Sequence, residues 1–194
     1  MKKIFCLVLA LIVTVCAFAG CSNEQANKDL SGDAPQTSSD NKTQDETDAK
    51  YTAPEGFTLY QNKDIVFAYP SDWTQTEDGS FTSTDNTKSI TLTQQETSYA
   101  GLDTQKYVQK VRPELEAEGK KLVTASAGQK NKDGLDITYI TRTFSTNGID
   151  GETYQNIYAL DVKGKTYVIT VTQPNGLEVD KTLGDTVYES IKVK

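Results

Sequence analysis

Hydrophobic positions fall into three textures along the chain. Residues 4–19 form an uninterrupted apolar run. Residues 22–53 carry almost none: Leu30 is the only aliphatic beyond alanine, and Tyr51 the only aromatic. From Pro54 onward, short periodic segments alternate with turn residues. The β-branched and aromatic content of residues 57–60 and 65–69 predicts two strands. Pro70-Ser71-Asp72 then turns the chain, and Trp73 restarts it. Asp78-Gly79 and Asp85-Asn86 read as turns ahead of strands at 80–82 and 90–93.

Between Leu102 and Gly119 the period changes. Tyr107, Val108, Val111 and Leu115 recur at three- and four-residue steps, which predicts an amphipathic helix. Asp103 is placed to cap its start and Gly119 to stop it, while Pro113 inside the pattern is expected to kink or divide it near Arg112. Longer strands are predicted at 122–129, 135–144, 153–162 and 166–172, joined by Asp133-Gly134, Asn147 to Gly151, and Lys163-Gly164. Leu135, Ile137 and Tyr139 share one face of their strand, and Ile140 and Phe144 the other. Apolar residues on both faces predict a sheet covered on both sides. Pro174-Asn175-Gly176 is expected to break the chain. A final helix is predicted at 178–190, with Val179, Leu183, Val187 and Ile191 as its apolar stripe. Antiparallel strands with helices inserted and appended give an α+β class.

The N-terminal run has its own chemistry. Met1-Lys2-Lys3 is a short positive end, the run is free of charge, and Ala19 and Gly20 precede Cys21. A positive segment, an apolar segment and a small-residue cleavage site make a secretory signal peptide. With cysteine next, residues 18–21 resemble the bacterial lipoprotein signal, although Phe18 stands where leucine is usual. The resemblance implies diacylglycerol on Cys21, cleavage between Gly20 and Cys21, and palmitate-type acylation. Cys16 fits less well because Val15 is bulky. The alternative, an uncleaved transmembrane helix, needs about 20 apolar residues. Either reading holds the chain at a cell membrane on its extracytoplasmic face. Two acyl chains anchor stably where one does not.

Three segments follow: a lipoprotein signal over 1–20, the lipid-bearing Cys21 with a polar linker over 21–53, and a folded domain over 54–194. The linker composition cannot bury enough apolar surface to offset its ordering entropy. A flexible chain of that length spans on the order of 30 Å. Its acidic cluster Asp45-Glu46-Thr47-Asp48 reads as a solvated charge run, and the sequon at Asn41 reads as chance in a bacterial chain.

Composition narrows the function. The chain has 194 residues, with its three cysteines at positions 6, 16 and 21 and no histidine. A domain without cysteine forms no disulfide, and at this size its core can suffice. Without histidine there is no Ser-His-Asp site, Cys-His site or His/Cys zinc site. The net charge is −7, and −9 once Lys2 and Lys3 are removed. An acidic domain gains nothing from a phosphate backbone, so nucleic acid is not expected as a partner.

Phe67-Ala68-Tyr69-Pro70-Ser71-Asp72-Trp73 is similar to the early signature of PsbP-like (DcrB-related) domains, in which an aromatic strand runs into Tyr-Pro, a polar turn and Trp. A central helix, long hairpin strands and a terminal helix ending in Ser190-Ile191-Lys192 agree in order. The resemblance covers about residues 57–194. It implies an antiparallel sheet flanked by helices on both sides, an α/β/α sandwich, and it leaves function open. The corner itself reads first as aromatic packing stiffened by proline, and second as a binding site.

No glycine-rich phosphate loop is present. Paired carboxylates occur at Asp150 with Glu152 and along Glu114, Glu116 and Glu118, without the density of a calcium loop. Tyr139, Tyr154, Tyr158 and Tyr167 fall in predicted strands, where rings pack across strands. The expectation is a non-enzymatic, lipid-anchored accessory module with an extracytoplasmic protein partner, without cofactor, metal or catalytic residues. The alternative is a small-ligand or metal-binding lipoprotein serving a transporter.

Overall fold

The computed structural model describes residues 51–175 and 179–194, all within the second of the chain's two units, Gln44–Lys194. Gly20, Cys21, the signal segment and the linker up to residue 50 lie outside the described residues. Among the described residues every strand pairing is antiparallel.

The strands form two sheets, where the sequence suggested one. The smaller joins β1 (Phe57–Gln61), β2 (Ile65–Pro70) and β10 (Lys192–Val193) in the order β1-β2-β10. The larger has seven strands: β3 (Thr74–Glu77), β4 (Ser80–Thr82), β5 (Ser89–Gln95), β6 (Lys120–Lys132), β7 (Leu135–Thr146), β8 (Glu152–Val162) and β9 (Lys165–Asn175). Their order is β3-β4-β5-β9-β8-β7-β6. Pro70-Ser71-Asp72 is where the chain passes from one sheet to the other: Trp73 N–H returns to the Pro70 carbonyl at 3.1 Å and Ser71 N–H to Gly56 at 3.0 Å. The long hairpins rest on the expected turns. Asp133-Gly134 and Lys163-Gly164 have positive φ at both positions (52° and 81°; 51° and 78°), the backbone that two-residue hairpins demand.

Helix α1 (Thr104–Ala117) begins as predicted, with the Asp103 carboxylate accepting from Lys106 N–H at 2.8 Å. It is not divided at Pro113. Pro113 and Gln109, whose carbonyl loses its helical partner, both lie on the exposed side, where water replaces the missing bond. Tyr107, Val111 and Leu115 keep the buried stripe continuous. Helix α2 (Lys181–Ser190) starts three residues later than expected, because Asp180 supplies the cap to Leu183 N–H at 3.0 Å. Pro174 is part of β9 instead of a break. Pairing with β5 ends at Thr172, so beyond that point one side of β9 is an edge, where a missing donor is tolerated.

The core has two clusters. Tyr107, Val111 and Leu115 of α1 join Ile140, Phe144, Ile157, Ala159 and Val168. Leu183, Val187 and Tyr188 of α2 join residues that include Ile137, Tyr158, Leu160 and Ile169. Neighbours along β8 alternate between clusters, Ile157 and Ala159 in one, Tyr158 and Leu160 in the other, so the large sheet is apolar on both faces. Among the described residues no helix is long and apolar enough to cross a membrane.

Candidate functional site

The Tyr-Pro-Ser-Asp-Trp corner divides its rings between core and surface. Tyr69 turns inward and stacks on Phe81, with ring centroids 3.9 Å apart and 18° between planes. Trp73, the only tryptophan in the chain, is half-buried on the edge of the α2 cluster. With Phe57, Pro70 and Leu183 it lines a cleft of about 540 Å³ between the corner, the β4–β5 turn and the start of α2. The tyrosine packs into the core, as the first reading of the motif expects, and the tryptophan lines an open cleft.

The remaining cleft wall is polar and acidic, with Asp72, Asp85, Asp180 and Lys88 on it. Asp180 is committed: one oxygen caps α2 and the other lies 3.6 Å from Lys88 Nζ. The Asp85 carboxylate accepts from the Ser83 hydroxyl at 2.6 Å and Thr87 N–H at 3.0 Å, and these bonds, Ser83's first, hold its pKa down at about 2. Among the described residues neither Asp72 nor Asp85 forms an ion pair. The cleft thus offers an aromatic wall, hydroxyls from Ser83, Thr84 and Thr182, and the carboxylates of Asp72, Asp85 and Asp180.

A second polar group ties the two sheets together. Asp64, in the β1–β2 turn, is nearly inaccessible; it accepts from the Tyr167 hydroxyl of β9 at 2.5 Å and from Lys163 Nζ at 3.1 Å. The Tyr167 bond, then Lys163, hold the Asp64 carboxyl below its ordinary range. The same bond, then burial, raises Tyr167 to about 12. The stabilisation from Asp64 is therefore present above the unfolded carboxyl value near 3.9 and lost as pH falls through the lower folded value. That from Tyr167 is full below about pH 10 and lost as pH rises toward 12. Tyr167→Phe is expected to flatten both limbs of a urea-midpoint against pH profile; limbs as steep as in the wild type would contradict this coupling.

The other singled-out residues are dispersed. Glu114 and Glu116 are exposed on α1 and Glu118 at its C-cap, and Asp150 is exposed in the β7–β8 turn. Glu152 accepts from Asn175 Nδ2 at 2.6 Å. Among the described residues no group of three or more acidic side chains is placed to hold a metal ion. Tyr139 and Tyr158 pack with Tyr188, their centroids 5.6 and 5.7 Å from one another in sequence along that trio. Tyr139 and Tyr154 hydroxyls both donate to Asn156 Oδ1. Of the four strand tyrosines, Tyr139 and Tyr158 pack ring to ring across strands, and all four hydroxyls make hydrogen bonds within the domain.

The fold is similar to the solution structure of the cyanobacterial PsbP protein CyanoP from Synechocystis sp. PCC 6803. The two align with a TM-score of 0.51 and 15% identity, over 72% of this chain and 93% of that one. A crystal structure from Bacteroides thetaiotaomicron VPI-5482 aligns with a TM-score of 0.43 and 18% identity, over 67% of this chain and 45% of that one. No family model and no curated protein matches the sequence. The domain is PsbP-like in fold, as residues 67–73 implied.

Proposed function

We propose that this chain is a lipid-anchored extracytoplasmic binding module, without catalysis of its own, that docks on a membrane or envelope protein complex. The observation that carries the docking reading is the cleft walled by Trp73. An aromatic ring at the rim of an open cleft, next to hydroxyls and fixed charges, suits recognition of a protein segment. Cys21 would carry the lipid, and the polar linker would let the domain range on the order of 30 Å from the membrane. The domain itself is read as a three-layer α/β/α sandwich, with α1 and α2 on opposite faces of the large sheet. The Asp85 carboxylate favours contact over proton transfer. A general acid at neutral pH needs a raised carboxyl, and Asp85 is held low.

The test uses the full chain in bacterial membranes. Cys21→Ser is expected to release it to the soluble fraction and abolish palmitate labelling. Trp73→Ala, and separately Thr84→Arg at the exposed rim, are expected to stay membrane-bound and lose a cross-linked partner that the wild type captures. Capture that is equal in all three would overturn the cleft as the docking site. Membrane retention of Cys21→Ser would overturn the anchor.

A further inference from the structure

The α1 side of the large sheet holds a second hollow, about 190 Å³, separate from the Trp73 cleft. Arg142, Lys110, Tyr99, Thr93, Thr170 and Glu114 are on its lining. Arg142 is half-buried and held in place from two directions. Its Nε–H donates to Gln155 Oε1 at 2.7 Å, and its Nη1–H to the Tyr107 hydroxyl at 3.0 Å. Gln155 is itself fixed, because its Nε2 donates to Thr172 Oγ1 at 3.0 Å. Ser89, Thr172, Gln155 and Arg142 occupy successive strands in one cross-strand row, so the guanidinium rises from an uncharged polar stretch of sheet.

Among the described residues no carboxylate is ion-paired to Arg142 or to Lys110, whose Nζ lies 4.5 Å from the Tyr99 ring centroid. The chain has 27 acidic residues against 20 basic ones, so carboxylates are not scarce. Two of the guanidinium's five donors are used by Gln155 and Tyr107. The others, with Lys110 and the two threonine hydroxyls, form a set of donors around a small volume. Among the described residues Glu114 is the one carboxylate on the lining, against Arg142 and Lys110, which leaves these residues with a net positive charge in an acidic protein.

We propose that this hollow is a binding site for a small oxyanion, a phosphate or carboxylate group, with Arg142 as its principal ligand and Lys110 as the second charge. Planar guanidinium donors match both groups, and a fixed side chain loses little freedom on binding. At the liquid share of about 30 Å³ per water, the volume holds roughly six waters, the scale of one such group and its immediate substituents.

The purified full chain would be titrated with inorganic phosphate, acetate and malonate, each against sodium chloride at matched ionic strength. The melting temperature is expected to rise saturably with at least one of them, since a ligand of the native state stabilises it. Saturation by phosphate alone would assign a tetrahedral group, and by acetate or malonate a carboxylate. Arg142→Gln should weaken the saturating affinity about 10- to 100-fold. Lys110→Gln changes a surface residue outside the sheet and should weaken it several-fold even if Arg142→Gln fails to fold. No response above the chloride control, or an affinity untouched by Lys110→Gln, would overturn the site. Neither outcome depends on the Trp73 cleft.

Discussion

Phe81→Ala is expected to lower the stability of the domain by about 3–5 kcal/mol, the range for deleting a fully buried phenylalanine ring. Phe81 has no exposed surface and belongs to β4 of the large sheet. Its neighbours belong to the small one: Tyr60 at 5.6 Å between centroids, Phe67 at 6.0 Å and Tyr69 at 3.9 Å. The ring is therefore an aromatic link within the apolar cluster that joins two sheets sharing no strand. A loss of that size is a large part of the 5–15 kcal/mol available to an ordinary domain, and corresponds to roughly 10–20 °C in melting temperature. Urea unfolding followed by Trp73 fluorescence and by circular dichroism would measure it. Ile149→Ala, at a residue 66% exposed, serves as the control and should stay within about 0.5 kcal/mol of wild type. A Phe81→Ala cost below about 1 kcal/mol would mean that the two sheets do not depend on this ring.

The features legible in the sequence are those written locally. Asp133-Gly134 and Lys163-Gly164 carry their hairpins because so few residue pairs adopt two positive φ angles in succession. Asp103 and Gly119 mark the ends of α1 because caps act over three or four residues. The division into two sheets was not legible. It lies at Pro70-Ser71-Asp72, across which β2 and β3 do not pair, and the third strand of the small sheet, β10, pairs with Ile65 and Val66 over two residues, which have no period to read. The effect of Pro113 required knowing which side of α1 meets water, and that follows from the whole stripe rather than from the proline. The candidate sites divide in the same way. Trp73 was marked by its own motif, although only the fold separates it from Tyr69. Arg142 gave no signal, since between Thr141 and Thr143 it reads as an ordinary polar strand position. Its partners Tyr107 and Gln155 are 35 and 13 residues away in the chain. Asp64 was equally silent, and Tyr167, 103 residues away, was marked as a strand ring with nothing to indicate this partner.

Gly184→Ala sets two of these levels against each other. By helix propensity the change should stabilise α2 by about 1 kcal/mol. The packing opposes it. Gly184 is buried where α2 meets β8, and the Tyr158 hydroxyl donates to its carbonyl at 2.7 Å. A methyl group there would collide with the Asn156 amide nitrogen and lie 3.1 Å from the Tyr158 oxygen. Asn156 cannot step aside freely, because it is buried and its Oδ1 accepts from both Tyr139 and Tyr154, at 3.3 and 2.8 Å. Making room means moving α2 outward or giving up those bonds, and overpacking of this kind costs about 1–3 kcal/mol, with about 1 kcal/mol more for each hydrogen bond lost. The packing term wins, and Gly184→Ala is expected to destabilise the domain by about 2 kcal/mol. Asn156→Ser shortens the opposing side chain, so the double variant Gly184→Ala/Asn156→Ser should be more stable than the sum of the single costs, a coupling that a double-mutant cycle reads directly. Strict additivity, or a stabilised Gly184→Ala variant, would show that α2 stands further from the sheet than these contacts require.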